Sequence, residues 1–209
     1  MVEVTVIFEG GADPSNNPSV ETMDNTNALR IAMGKLLSSG LSDPNLRVIA
    51  RPMYSITNVK NIVSNLKSNE VILIDLDGPP TQRKQRIADT GLTAIQSQVF
   101  FMVQAMEAWP LSQPHVIDQA LSRFAKPTSN ARTDESLEGK HPENIAHPDR
   151  LLIAIIARHF ADPITGKKVV YGKLKHSPDF IQRLDIHALR KTFSDVEALL
   201  TAISRQGKP

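Results

Sequence analysis

Apolar residues in this chain come in short runs that stop at turn residues. The run that organises the others is Val71 to Pro80, VILIDLDGPP. Three of its first four residues are β-branched and Gly-Pro-Pro ends it, the pattern of a strand buried on both faces that stops in a turn. It delivers Asp75 and Asp77 to its carboxyl end. Extended side chains repeat every two residues, so the two carboxylates are expected on one side, close enough to repel unless a proton or cation intervenes.

The stretches before it alternate. Glu3 to Phe8 reads as a first strand ending at Glu9-Gly10-Gly11, and the Asp, Pro, Ser and Asn-rich residues 12–24 read as a long loop. Leu29, Met33, Leu36 and Leu37 share one face of a helix predicted over 25–39, with Gly40 as its stop. A second strand is predicted over 47–53. A second helix, marked by Val59, Ile62, Val63 and Leu66, leads into the central strand. Strand and helix in alternation imply parallel strands whose carboxyl ends share one edge, where open α/β sheets bind ligands. If the first and central strands are neighbours, Glu9, Asp75 and Asp77 converge there.

Downstream, residues 81–88 form a short basic stretch with Arg83, Lys84 and Arg86, which either approach a phosphate or line a solvated helix. VFFMVQAMEAW, 99–109, reads as a strand passing into a helix with Glu107 embedded in it. A carboxylate in so apolar a run either turns outward or belongs to a site, and the second is the expectation. Trp109 is expected in the core. Residues 125–148 carry almost no apolar periodicity and read as a flexible linker between an α/β core, 1–124, and a mostly helical extension, 149–209. In that extension Pro148 opens an apolar helix, Ser177-Pro178 opens another, and Ser194 with Glu197 has the form of a capping box before a last amphipathic helix.

Charge sharpens this picture. Residues 1–139 hold 12 Lys and Arg against 15 Asp and Glu, whereas residues 140–209 hold 12 against 7, so a near-neutral chain carries an acidic site and a basic C-terminal face. That combination suits a metal-dependent enzyme acting on a polyanion. Lys167, Lys168, Lys173 and Lys175 form the most basic short stretch. The 209 residues contain no cysteine, which excludes disulfides and thiolate metal sites and fits a reducing compartment. The longest apolar segment, Leu151 to Ala157, is far too short to span a bilayer, so a cytoplasmic protein without membrane attachment is expected. The six histidines show no paired helical spacing, and Gly10-Gly11 lacks the Lys-Ser/Thr of a phosphate-binding loop. Tyr54 and Tyr171 are the only tyrosines; nothing in the sequence supports a covalent tyrosyl intermediate, and a hydrolytic cut is simpler.

Two families share the Asp-x-Asp string. Haloacid-dehalogenase-type phosphatases carry Asp-x-Asp-Gly after an apolar strand, but on the first strand, and no later acidic pair completes their magnesium site here. The closer resemblance is to Toprim (topoisomerase-primase) proteins, through Glu9-Gly10 after the first strand and Asp75-Leu76-Asp77 after a later parallel one. With Gln104 to Leu111, QAMEAWPL, and Tyr171-Gly172-Lys173, the chain resembles an uncharacterised bacterial Toprim-like family found beside ATPases and related to OLD-type nucleases.

That resemblance implies a Rossmann-type, mostly parallel sheet and magnesium- or manganese-dependent cleavage of DNA or RNA. Clustered carboxylates hold hard cations, which activate water and stabilise the leaving oxygen. Asp75 and Asp77 would bind metal, Glu9 would bind metal or act as general base, and Glu107 would complete or orient the shell. Lys173 would neutralise charge developing on the phosphate, and Arg83, Lys84, Lys167, Lys168 and Lys175 would contact nucleic acid. A phage-defence role, an ATPase partner and a homo-oligomer are implied in the same way. The alternative is a non-catalytic nucleic-acid-binding or regulatory subunit. A Glu9 remote from the aspartates, or one of the three turned away into an ion pair with Arg83 or Lys173, would favour it.

Overall fold

The computed structural model describes residues 1–11, 20–53, 55–127 and 129–206. The segment expected as a long loop after Glu9 lies outside them as far as residue 19, and so does Tyr54. Four strands, β1 (Val2–Phe8), β2 (Leu46–Pro52), β3 (Glu70–Asp75) and β4 (Val99–Met102), form one sheet in the order β2-β1-β3-β4. Every pairing is parallel, with Phe8 opposite Leu73 and Asp75 opposite Met102. The expected neighbourhood of the first and central strands is therefore present. Helix α1 (Val20–Ser39) joins β1 to β2, α2 (Ile56–Ile62) joins β2 to β3, and α3 (Arg83–Asp89) lies between β3 and β4. The architecture is a Rossmann-like α/β fold.

Alternation along the strands divides the core. Val4, Val6 and Phe8 of β1, Val71 and Leu73 of β3, and Phe100 and Met102 of β4 pack into one cluster with Leu29, Met33, Leu36 and Leu37 of α1. Ile7, Ile72, Ile74, Val99 and Phe101 face the other way, against Val59 of α2 and Ile87 of α3. All six residues of β3 are buried, as its unbroken apolar run requires. Each such large apolar side chain contributes about 1.5–3 kcal/mol relative to exposure.

The C-terminal half joins the first of these clusters. After α4 (Ala108–Ser112) and α5 (His115–Ala120), residues 125–148 run through 3-10 turns at Ala131–Thr133, Glu135–Leu137 and Pro142–Asn144. Side chains of Asn130, Asp134 and His141 cap those turns, so local polar bonds do the work that apolar periodicity does elsewhere. His159 links this segment to α6 (Pro148–His159), with Nδ1 2.5 Å from Ser129 Oγ and Nε2 2.7 Å from Asp134 Oδ2. Helices α7 (Lys173–Ile181), α8 (Ile186–Thr192) and α9 (Ser194–Gln206) complete the layer. Trp109 and the apolar faces of α6 to α9 lie in the same cluster as β1 and α1.

Three local expectations change. Helix α7 begins at Lys173, not at Ser177, and carries Pro178 inside it at the expense of one backbone bond. Helix α1 begins at Val20 rather than near residue 25. The capping box at Ser194 does not close, because the Glu197 carboxylate pairs with Arg190 at 2.5 and 2.8 Å. Among the described residues no helix is long and apolar enough to cross a membrane.

Candidate functional site

The carboxyl edge of the sheet gathers the acids. Glu9 directly follows β1, and its N–H donates to Leu73 O of β3 at 3.0 Å. Gly10 and Gly11 come next with φ of 142° and 96°, a region that strains L side chains, so glycine lets the chain leave the edge just past Glu9. Asp75 is the last residue of β3 and is 7% exposed. Its Oδ1 accepts the Met106 N–H at 2.9 Å and its Oδ2 lies 3.1 Å from Lys173 Nζ.

Glu107 does not turn outward. It is 4% exposed, with Oε1 accepting the Tyr171 hydroxyl at 3.2 Å and Oε2 lying 3.7 Å from Lys173 Nζ. Since that hydroxyl proton goes to Glu107, the Ser177 hydroxyl, 3.1 Å away, donates to Tyr171 in turn. Lys173, in the first turn of α7, is thus shared by two buried carboxylates.

Asp77 departs from the strand alternation. Strand β3 ends at Asp75 and Asp77 has φ of 56°, so the two-residue repeat no longer applies at the position where the pair was expected to share a side. Gln104, at the matching place after β4, also has a positive φ of 64°, and Asp77 N–H donates to Gln104 O at 2.8 Å. Asp75 is consequently buried, while the Asp77 side chain is 58% exposed and meets Arg86 Nη2 at 2.5 Å. The same guanidinium reaches Glu9 Oε2 at 3.9 Å and donates through Nε to Asp75 O at 3.2 Å. Arg86, and not direct apposition of the aspartates, joins Asp77 to the others.

Among the described residues four carboxylates therefore face two cations, leaving the cluster short of positive charge. Burial pushes the Asp75 carboxyl up to about 7, against the pull of Lys173 and with the help of Glu107 and Glu9. Burial also raises Glu9, opposed by Arg86 and assisted by Asp77. For Lys173 burial disfavours the charge, but Asp75 and Glu107 outweigh it and raise its pKa above the ordinary lysine value. Tyr171 is raised by burial and then by the Glu107 charge, so it stays a protonated donor. Glu9 Oε2 is buried without a hydrogen-bond partner among the described residues.

No group of three His, Cys, Asp or Glu side chains among the described residues is already drawn together around a metal position. The donor chemistry fits a hard divalent cation all the same. It is entirely oxygen, holds at Glu9 one buried oxygen that meets Arg86 only at 3.9 Å and makes no hydrogen bond among the described residues, and carries excess negative charge. Asp75, Asp77 and Glu9 would hold such an ion and Glu107 would stand behind them.

The remaining basic residues expected at the site are elsewhere. Arg83 is committed to the Asp195 carboxylate, with Pro80 O at 3.3 Å and Ser194 Oγ at 3.5 Å, and Asp195 also accepts the Phe101 N–H at 3.2 Å. It fastens α3 to α9 and β4. Lys84 is exposed on α3. Lys167, Lys168 and Lys175 line a groove of their own. Arg86 was legible as a basic residue after the aspartates, but nothing in its spacing distinguished it from Arg83.

Residues 28–204 match the family described as a domain of unknown function, DUF4276. The chain belongs to this family. The DUF4276 match takes in Asp75, Asp77, Arg86, Glu107, Tyr171 and Lys173, and begins after Glu9. No curated protein and no solved structure matches the chain.

Proposed function

We propose that the protein is a magnesium- or manganese-dependent phosphodiesterase of Toprim type, acting on DNA or RNA. The observation that carries this reading is the meeting of Glu9, Asp75, Asp77 and Glu107 at one sheet edge with, among the described residues, only Arg86 and Lys173 to balance them. When bound, the ion supplies Lewis acidity and an activated water. Glu9, raised by burial and with one oxygen that has no hydrogen bond among the described residues, would either hold the ion or serve as general base. Lys173 stays charged and offsets the negative charge that grows on the phosphate. Tyr171 and Ser177 hold Glu107 in place. The phage-defence role, the ATPase partner and a homo-oligomer come from the family resemblance alone.

A phosphatase in which Asp75 attacks phosphorus fits less well. Asp75 is buried, with one oxygen on Met106 N–H and the other on Lys173. The non-catalytic binding subunit draws support from one observation, that Asp75 is ion-paired with Lys173. Asp75 is not turned away from the cluster, however, since the same Lys173 ammonium also meets Glu107 at 3.7 Å.

Calorimetric titration of Mg2+ and Mn2+ into wild-type protein and an Asp75→Ala, Asp77→Ala double variant, beside plasmid and single-stranded RNA cleavage, separates these readings. Metal binding and metal-dependent cutting, both lost in the variant, are expected. Absence of carboxylate-dependent metal binding with nucleic acid present would leave the binding subunit.

A further inference from the structure

Helix α7 has two working faces. Lys173 points to the acid cluster, whereas Lys175 and Arg183, at and just past the ends of the helix, line a groove of about 610 Å³. Its opposite walls are the turn holding Arg123 and the segment holding Lys167 and Lys168. All five cations are exposed, and none has a carboxylate partner within ion-pair distance among the described residues. Two acids face them, Asp162 and Asp179. Asp162 is occupied as a turn cap, accepting the N–H groups of Ile164 at 2.9 Å and Thr165 at 2.7 Å. Asp179 accepts from Gln182 at 2.8 Å. His176, kept largely neutral by burial, adds no lasting charge.

We infer that this groove binds the phosphate backbone of a nucleic-acid duplex and leads it to the acid cluster on the other face of α7. The identity of the polyanion rests on the phosphodiesterase reading, while the groove itself rests on its unpaired cations. A duplex fits better than a single strand because, among the described residues lining the groove, no aromatic face is exposed for base stacking. Phe124 is half-buried beneath the Arg123 guanidinium, 4.6 Å from its ring centre. The wall bearing Lys167 and Lys168 is a hairpin, bridged at Ala161 and Lys168, that holds Ile164 at 92% exposure beside them. An apolar tip flanked by cations is a form that wedges into a minor groove. Contacts of this kind are blind to sequence and sensitive to salt.

The test is fluorescence anisotropy of a labelled mixed-sequence duplex of about 20 base pairs in EDTA, between 50 and 200 mM salt. If all five cations meet phosphates, the slope of log K against log salt is about −4.5, a loss of roughly 500-fold across that range. Lys167→Ala with Lys168→Ala should make the slope shallower by about 1.8, and Arg123→Ala with Arg183→Ala by the same amount. Lys60→Ala, on α2 across the sheet, should leave it unchanged. Equal effects of Lys60→Ala and the groove variants would overturn the proposal. So would tighter binding of a single strand, or preference for polyglutamate or phosphatidylserine vesicles over the duplex. Groove-dependent binding without cutting in Mg2+ would keep the groove and sink the phosphodiesterase. Cutting that survives unchanged in both groove variants would do the reverse.

Discussion

Lys173 Nζ lies 3.1 Å from Asp75 Oδ2, joining the first turn of α7 to the last residue of β3. The contact closes the C-terminal helical layer over the sheet edge and places a cation between two buried carboxylates. Removing the ammonium with Lys173→Met leaves Asp75 and Glu107 facing each other unbalanced. A loss of about 1–3 kcal/mol at pH 8 is expected, below the cost of breaking a fully buried pair because the Lys173 side chain is 41% exposed. Urea denaturation should show the loss shrinking at pH 5, where Asp75, raised to about 7, is protonated.

Stability should depend on pH through Asp75. Its carboxyl, with an ordinary value of 3.8, titrates near 7 in the folded protein, so between these values the native state holds the extra proton. This group's contribution to stability therefore falls as pH rises from about 4 to 7 and levels off above. Denaturation of wild type and Asp75→Asn in EDTA should show the variant gaining on wild type over that window. A constant difference from pH 4 to 8 would refute the shift.

The positive φ of Asp77 can be separated from its charge. Asp77→Gly and Asp77→Ala both lose the Arg86 partner, but only alanine must adopt φ near 56° with a Cβ. Alanine should be the less stable by about 1 kcal/mol in thermal or urea unfolding. Metal binding should be weakened alike in both.

Gly40 reports on the packing of the helical layer. A Cβ there would stand 2.9 Å from both Ile186 Cγ1 and Leu200 Cδ1, on α8 and α9. Gly40→Ala should cost about 1–3 kcal/mol through overpacking, and Leu200→Ala in the same chain should recover part of it. An additive double variant would contradict the contact.

Much of the fold is local and could be read in advance. The apolar run of β3, the period-two alternation of β1 and the face of α1 carrying Leu29 to Leu37 are set by sequence spacing alone. Parallel order then forces Glu9 and Asp75 to the same edge, because each stands at the carboxyl end of its strand. Glu107 was legible as an anomaly, a charge embedded in apolar sequence. Where spacing ceased to be regular, it ceased to inform. The φ of Asp77 breaks the alternation that would have set it beside Asp75, and a capping residue such as Asn130 leaves no apolar period to read.

Composition and spacing by themselves determined the alternating elements and the edge on which the acids lie, since backbone geometry and burial act over a few residues. Which cation meets which acid was decided only in three dimensions. Arg83 and Arg86 are three residues apart and alike in sequence, yet one fastens Asp195 and the other serves Glu9 and Asp77. Lys173 and Lys175 divide in the same way between the acid cluster and the groove. A long charged side chain takes its partner from whatever the packed layers bring within reach, and those layers meet only when the whole core is closed.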